Sequence, residues 1–125
     1  MNLTLLHVAL GGALGASGRY LTGLAMTRLM GKGFPWGTLA VNVLGSFAMG
    51  LIVVVLAHFS ANRFAPLLMT GVLGGFTTFS AFSLDVATLY ERGQIGLAAA
   101  YAGASVVISI GALFAGLLVA RSFVQ

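Results

Sequence analysis

Apolar residues run along this chain in long stretches, with most of its few charges between them. Residues 33–62 contain no Asp, Glu, Lys or Arg, and neither do 64–84 or 93–120. Each stretch exceeds the roughly 20 residues that a helix needs to cross the apolar layer of a bilayer. The N-terminal stretch, Leu3 to Thr27, is also long enough, and Arg19 is the one charged side chain within it. The segments between hold Gly31-Lys32-Gly33-Phe34-Pro35, then Ser60-Ala61-Asn62-Arg63, then Glu91-Arg92-Gly93. They are short, polar or glycine-rich, the composition of turns at a membrane surface. The pattern predicts an all-α integral membrane protein with four transmembrane helices in one domain, 1–125: TM1 about 3–28, TM2 about 37–58, TM3 about 66–90 and TM4 about 95–120. Strands of a membrane barrel would alternate polar and apolar residues, and these runs do not. The chain opens without a basic leader or an A-x-A site, so its first helix is expected to be retained.

Small residues recur at four-residue spacing: Gly11 with Gly15, Gly71 with Gly75, and Ser46 with Gly50. Such faces let helix backbones approach closely inside a membrane. The run Gly74-Gly75-Phe76-Thr77-Thr78-Phe79-Ser80-Ala81-Phe82-Ser83 lies inside TM3. Glycine ends helices and threonine caps their starts, so this order suggests a helix that breaks near 74–80 and restarts. A break in a membrane helix is tolerated only where the backbone is buried in protein or lines a cavity. Carbonyls released there suit a cation, and amides at the restart suit an anion. The alternative is a continuous helix whose Ser and Thr hydroxyls bond back to its own carbonyls, and spacing does not choose between the two.

Composition narrows the class. The 125 residues are 59% hydrophobic and 6% charged, against about 25% charged in a soluble domain, and the mean hydropathy is +1.06. The net charge of +4 comes from scattered cations, not from the clustered Lys/Arg face that nucleic acid requires. Cysteine is absent, which excludes disulfide scaffolds and thiolate chemistry. With two histidines and two acids, the chain offers no metal-ligand spacing, no nucleophile–base pair and no phosphate loop; an enzyme is not expected. Four short helices enclose little by themselves, so an oligomer is expected. In a four-span topology, Arg63, Arg121 and the terminal amine share one face, and Arg28, Lys32 and Arg92 share the other with Glu91. Orientation follows Lys and Arg near the helix ends, and this near-even split predicts insertion both ways round and an antiparallel dimer.

The uncharged polar residues form a second pattern. Thr38 and Asn42 are four apart in TM2, and Tyr101, Ser105 and Ser109 are spaced by four in TM4. Each set makes one stripe on its helix, and asparagine in hydrocarbon is costly enough to face the interior. Interhelical hydrogen bonding alone accounts for about 0.6–2 kcal/mol per contact; taken together, these residues read better as a polar track. They offer neutral donors and no carboxylate, which suits a small anion. Phe79 and Phe82, at i and i+3, share a face; they pack on neighbours or lipid, or else turn electropositive ring edges to an anion. Arg19 lies nine residues before Arg28, roughly 14 Å along a helix. It either snorkels to the interface or draws anions into an aqueous vestibule, with Asp85 as a candidate partner. His7 and His58 sit near span ends and read as interfacial.

Three motifs, Gly11-Gly12-x-x-Gly15-Ala16-x-x-Arg19-Tyr20, Trp36-Gly37-Thr38-Leu39-x-Val41-Asn42-x-x-Gly45-Ser46-Phe47 and Gly74-Gly75-Phe76-Thr77-Thr78-Phe79-Ser80-x-Phe82, together resemble the Fluc/CrcB fluoride ion channels. The likeness covers TM1 to TM3 through motifs and TM4 through length and Tyr101-x-x-x-Ser105. One departure is Ala81, where the family often has threonine, so a hydroxyl near the TM3 run is missing. The resemblance implies a dual-topology antiparallel homodimer in a prokaryotic plasma (inner) membrane, with parallel fluoride pores along the subunit interface. Phe79 and Phe82 would edge the pores, with Asn42, Tyr101 and Ser105 as donors and Arg19 in the vestibule. Backbone carbonyls of Gly74 and Thr77 from both subunits would hold a central structural sodium ion. The activity implied is passive export of cytoplasmic fluoride. A small multidrug proton-coupled exporter is the runner-up, but that family resembles itself in an acidic residue within TM1, where this chain has Arg19. A non-transporting assembly subunit would explain the glycines and not the polar track.

Overall fold

The structure, a computed structural model, describes residues 3–124; the terminal amine of the charge comparison lies outside them. Four long helical runs account for almost all of it. Helix α1 (Leu3–Met30) is followed by α2 (Trp36–His58) and a 3-10 turn (Asn62–Phe64). A π-helical segment (Pro66–Leu73) leads into the short α3 (Gly74–Phe76), and α4 (Ser80–Glu91) and α5 (Ile95–Val124) complete the chain.

The helices stop where the backbone can turn left-handed. Gly31 and Gly93 have φ of +83° and +81°, and beyond α4 the Gln94 amide reaches back to the Leu89 carbonyl at 3.0 Å while Gly93 bonds Tyr90 at 3.0 Å. That pair of bonds satisfies carbonyls which the last turn would leave orphaned. The end of α2 repeats the design, with Ala61 bonded to Leu56 at 2.7 Å and Ser60 to Ala57 at 3.3 Å. Here a serine, Ser60, takes the left-handed position at φ 53°.

Among the described residues, three stretches are long and apolar enough to cross a membrane: Trp36–His58, Asn62–Glu91 and Ile95–Val124. The first helix, with 28 residues, has the length but not the apolar composition, because Arg19, five glycines and a scatter of Ser and Thr dilute it. Its glycines serve packing instead. A Cβ on Gly71 would lie 2.9 Å from the Gly11 Cα, one on Gly75 2.7 Å from the Gly12 carbonyl oxygen, and one on Gly15 2.8 Å from the Phe76 amide nitrogen. The backbones of α1 and the third crossing therefore touch directly, as small-residue faces permit. Gly50 and Gly116 do the same between α2 and α5: a Cβ on Gly50 would come within 2.9 Å of the Leu117 amide nitrogen.

A small side-chain cluster of Leu89, Ala98 and Tyr101 joins α4 to α5, with Phe34, Leu39, Phe82, Val86 and Leu97 against it. Phe34 belongs to the α1–α2 connection, so that turn is more than a surface link. Its ring meets Trp36 at 4.6 Å and stands edge-on to Tyr101 at 5.3 Å. Most large apolar side chains elsewhere, such as Leu14, Val107, Leu118 and Phe123, face outward.

Candidate functional site

The third crossing changes course just after its glycine pair. Helix α3 stops at Phe76, and Thr77 is extended at φ −86° and ψ 159°. Phe79 has returned to helical angles, and α4 begins at Ser80. Extending the backbone at Thr77 takes amides away from the carbonyls they would serve in a continuous helix. The Thr78 amide, which would reach Gly74, donates to Asn42 Oδ1 at 2.8 Å. The Ala81 amide, which would reach Thr77, donates to Thr78 Oγ1 at 3.1 Å. Thr78 is thus the side-chain cap of α4, the hydroxyl serving the third amide onward as an N-cap does.

Two residues of α2 hold this segment. Asn42 Nδ2 donates to the Thr78 carbonyl at 3.0 Å while its Oδ1 accepts from the same residue's amide. One carboxamide therefore satisfies both backbone polar groups of one residue, in a place where unpaired groups are expensive. One turn along, Gly45 leaves room for the Thr77 methyl group, which a Cβ there would strike. From the other side, Arg19 of α1 donates its Nε–H to the Gly75 carbonyl at 3.2 Å.

A groove of about 510 Å³ opens along this segment. Asn42, Gly74, Thr77, Phe79, Phe82, Ser105 and Ser109 all line it, together with apolar residues such as Val106 and Leu113. Among the described residues, no charged side chain does. Phe79 and Phe82 sit with ring centroids 5.6 Å apart and planes tilted by 51°, and Phe79 leaves 76% of its surface uncovered. The hydroxyl oxygens of Ser105 and Ser109 are buried and neither meets a partner in full hydrogen-bond geometry, although Ser105 lies close to the Tyr101 hydroxyl. Buried hydroxyls are nearly always paired, so two adjacent ones without full partners on the wall of a groove mark a place built to receive a hydrogen-bond acceptor or donor.

The remaining track residues are placed differently from the sequence reading. Tyr101 is fully buried and does not line this groove; its ring packs on Phe82 at 5.2 Å, and its hydroxyl donates to Asp85 Oδ2 at 3.1 Å. Thr38 lines a second cavity of about 490 Å³ with Arg19, Lys32, Asp85 and Arg92. Thr78 borders both spaces. The suggested Arg19–Asp85 pair is not formed: the two residues share the cavity, but Arg19 is committed to Gly75 and Asp85 to Tyr101. The partner Arg19 does have is a backbone carbonyl at the end of α3. Sequence reasoning anticipated a threonine cap at the restart without singling out Thr78, and it missed Asp85 as the Tyr101 acceptor. The cap is the threonine three residues before Ala81; the Asp85–Tyr101 contact joins residues 16 apart on different helices and had no signal.

A family profile described as CrcB-like protein, Camphor Resistance (CrcB), matches residues 6–117. Curated relatives are alike over nearly the whole chain. The Fluoride-specific ion channel FluC of Cereibacter sphaeroides is 66% identical over 120 residues, covering 96% of each chain. The protein of the same name from a Ruegeria species is 57% identical over 122 residues, covering 97% of each. That of Agrobacterium fabrum is 55% identical over 117 residues, covering 92% of this chain and 94% of its own. Both the profile and the full-length identities reach across all four helical runs, so the chain belongs to the CrcB family.

Proposed function

We propose that this protein is a fluoride-selective ion channel and not an enzyme, passively exporting cytoplasmic fluoride across the plasma (inner) membrane and so limiting fluoride toxicity. The observation that carries this reading is the neutral groove, where the Phe79 and Phe82 rings stand beside the Ser105 and Ser109 hydroxyls, neither of them fully partnered. Relatives with this sequence pattern carry the name fluoride-specific ion channel.

The chemistry favours this assignment. Fluoride is small and strongly hydrated, so a pathway must replace its water with donors already in place. A buried fixed cation would hold the ion too firmly, whereas several weak neutral sites permit both capture and release. Ring edges carry the positive part of the aromatic quadrupole, and serine hydroxyls and the spare Nδ2 hydrogen of Asn42 can point at an anion. Hydrogen fluoride that enters a cell ionises there, and an inside-negative potential contributes about 2.3 kcal/mol per charge per 100 mV toward expelling the anion. No energy source beyond the membrane potential is required.

A second copy in antiparallel orientation completes the proposal. The open groove and the uncovered Phe79 ring support it, as does the near-even charge on the two faces. The carbonyls of Gly74 and Thr77 fit a sodium ion: both residues line the groove, and the amides that would occupy those oxygens in a continuous helix are bonded elsewhere. Oxygen donors suit such a hard cation. In two copies, these four carbonyls would hold one structural sodium, binding the subunits at their centre within the lipid bilayer.

Purified protein in potassium-loaded proteoliposomes tests the function directly. Fluoride efflux, read by electrode after valinomycin, is expected to be fast, and chloride efflux to remain at the level of empty vesicles. Absent fluoride efflux, or chloride efflux of equal rate, overturns the assignment.

A further inference from the structure

The residues around Thr77 divide the released polar groups among three neighbours. The Thr78 amide and carbonyl go to Asn42 on α2. The Gly75 carbonyl goes to Arg19 on α1. Gly74 and Thr77 border the groove, whereas Gly75 does not. A helix end exposes its last four carbonyls on all sides, so something must choose which of them face the groove and which face away.

We infer that Arg19 is a positioning residue that makes this choice: its Nε–H caps the Gly75 carbonyl and thereby fixes the rotation of the α3 end that presents Gly74 and Thr77 to the groove. The register follows from the glycine face of α1. Gly11 and Gly15 seat that helix on Gly71, Val72 and Phe76, and Arg19 is the next residue at the same four-residue interval, so it arrives level with the end of α3. The C-terminal end of a helix attracts positive charge, and guanidinium has donors to spare beyond the one in use. Its remaining N–H groups are left for the second cavity, which Arg19 also lines. The inference rests on the proposed sodium site only for its functional consequence; the cap itself is a matter of one hydrogen bond.

Three substitutions separate this role from that of a charge in a vestibule. In Arg19→Gln the side-chain amide nitrogen falls at the position of Nε, so the donor stays and the charge goes. In Arg19→Lys the charge stays and the donor moves one bond outward. Arg19→Met keeps the length and has neither. Hydrogen exchange of the segment 70–84 in purified protein is expected to remain within about twofold of wild type for Gln, and to accelerate at least tenfold for Lys and Met. The sodium concentration giving half of the rise in melting temperature, measured at constant ionic strength without fluoride, is expected to follow the same order. If Gln and Met accelerate exchange equally while Lys resembles wild type, the charge acts and not the cap. If no variant changes exchange, Arg19 positions nothing. A wild-type melting temperature indifferent to sodium, with the exchange contrast intact, would remove the sodium site and leave the cap standing.

Discussion

Phe79 exposes its ring to the groove while Phe82 is wedged between it and Tyr101, so the same residue type does different work three positions apart. Replacing either with isoleucine preserves bulk and removes the electropositive edge. Phe79→Ile and Phe82→Ile are each expected to slow fluoride efflux at least tenfold while the protein still elutes at the wild-type volume; full flux would mean that the rings only pack. Asn42 has a heavier structural share. Asn42→Ala strips the partners from both the amide and the carbonyl of Thr78, and leaving buried polar groups unpaired costs about 1–3 kcal/mol each. A clear fall in melting temperature is expected, larger than for Phe79→Ile. That Asn42 faces inward was legible from the cost of placing an amide in hydrocarbon. That both halves of its carboxamide are spent on the backbone of one residue was not, because nothing local links residues 42 and 78. Thr38 marks the opposite limit. Four-residue spacing puts it on the same stripe as Asn42 but about 6 Å away along the axis, and that displacement carries it past Thr78 into the other cavity.

At the scale of elements, helix contacts are made by backbone meeting backbone. Gly15 and Gly12 are neighbours in sequence with opposite surroundings: a Cβ on Gly15 would collide with Val72 and Phe76, while one on Gly12 meets nothing within 4 Å. Gly15→Ala is therefore expected to lose most of the monodisperse, folded protein in size-exclusion chromatography, and Gly12→Ala to retain it. Equal yields would mean that α1 can shift without cost. The four-residue glycine spacing made these contacts readable in the sequence, since two matching small faces have few other uses in a membrane. The wide π-helical winding of Pro66–Leu73 was not readable. It follows no residue preference; this is the stretch against which α1 lies, and such irregular turns concentrate near functional sites.

For the molecule as a whole, the long uncharged runs and the three motifs sufficed to indicate membrane class and family, because hydrocarbon tolerates few sequence patterns. Orientation depends on the remaining charges. Arg63 lies over the Phe64 ring at 4.7 Å, in the short turn between α2 and the third crossing. It is one of few cations on its face, so Arg63→Ala is expected to tip the balance toward chains whose C-terminus lies outside the cell. A C-terminal reporter should divide between both faces in the wild type and move mostly outward in the variant. A wild-type reporter confined to one face would contradict dual insertion.

The scarcity of a side-chain core has a calorimetric consequence. Among the described residues only small groups such as Leu89, Ala98 and Tyr101 are buried, and side chains like Leu14, Val107 and Phe123 face outward. In lipid those groups remain in apolar surroundings whether the helices are packed or parted. The heat capacity gained on unfolding, which in water-soluble domains is about 12–15 cal/mol/K per residue and arises from apolar hydration, should be only a small part of that value here. Stability would then fall almost linearly with temperature, and cooling would bring no cold denaturation. Scans in lipid bicelles, with the melting temperature varied by sodium, would read this as an unfolding enthalpy that hardly changes with melting temperature.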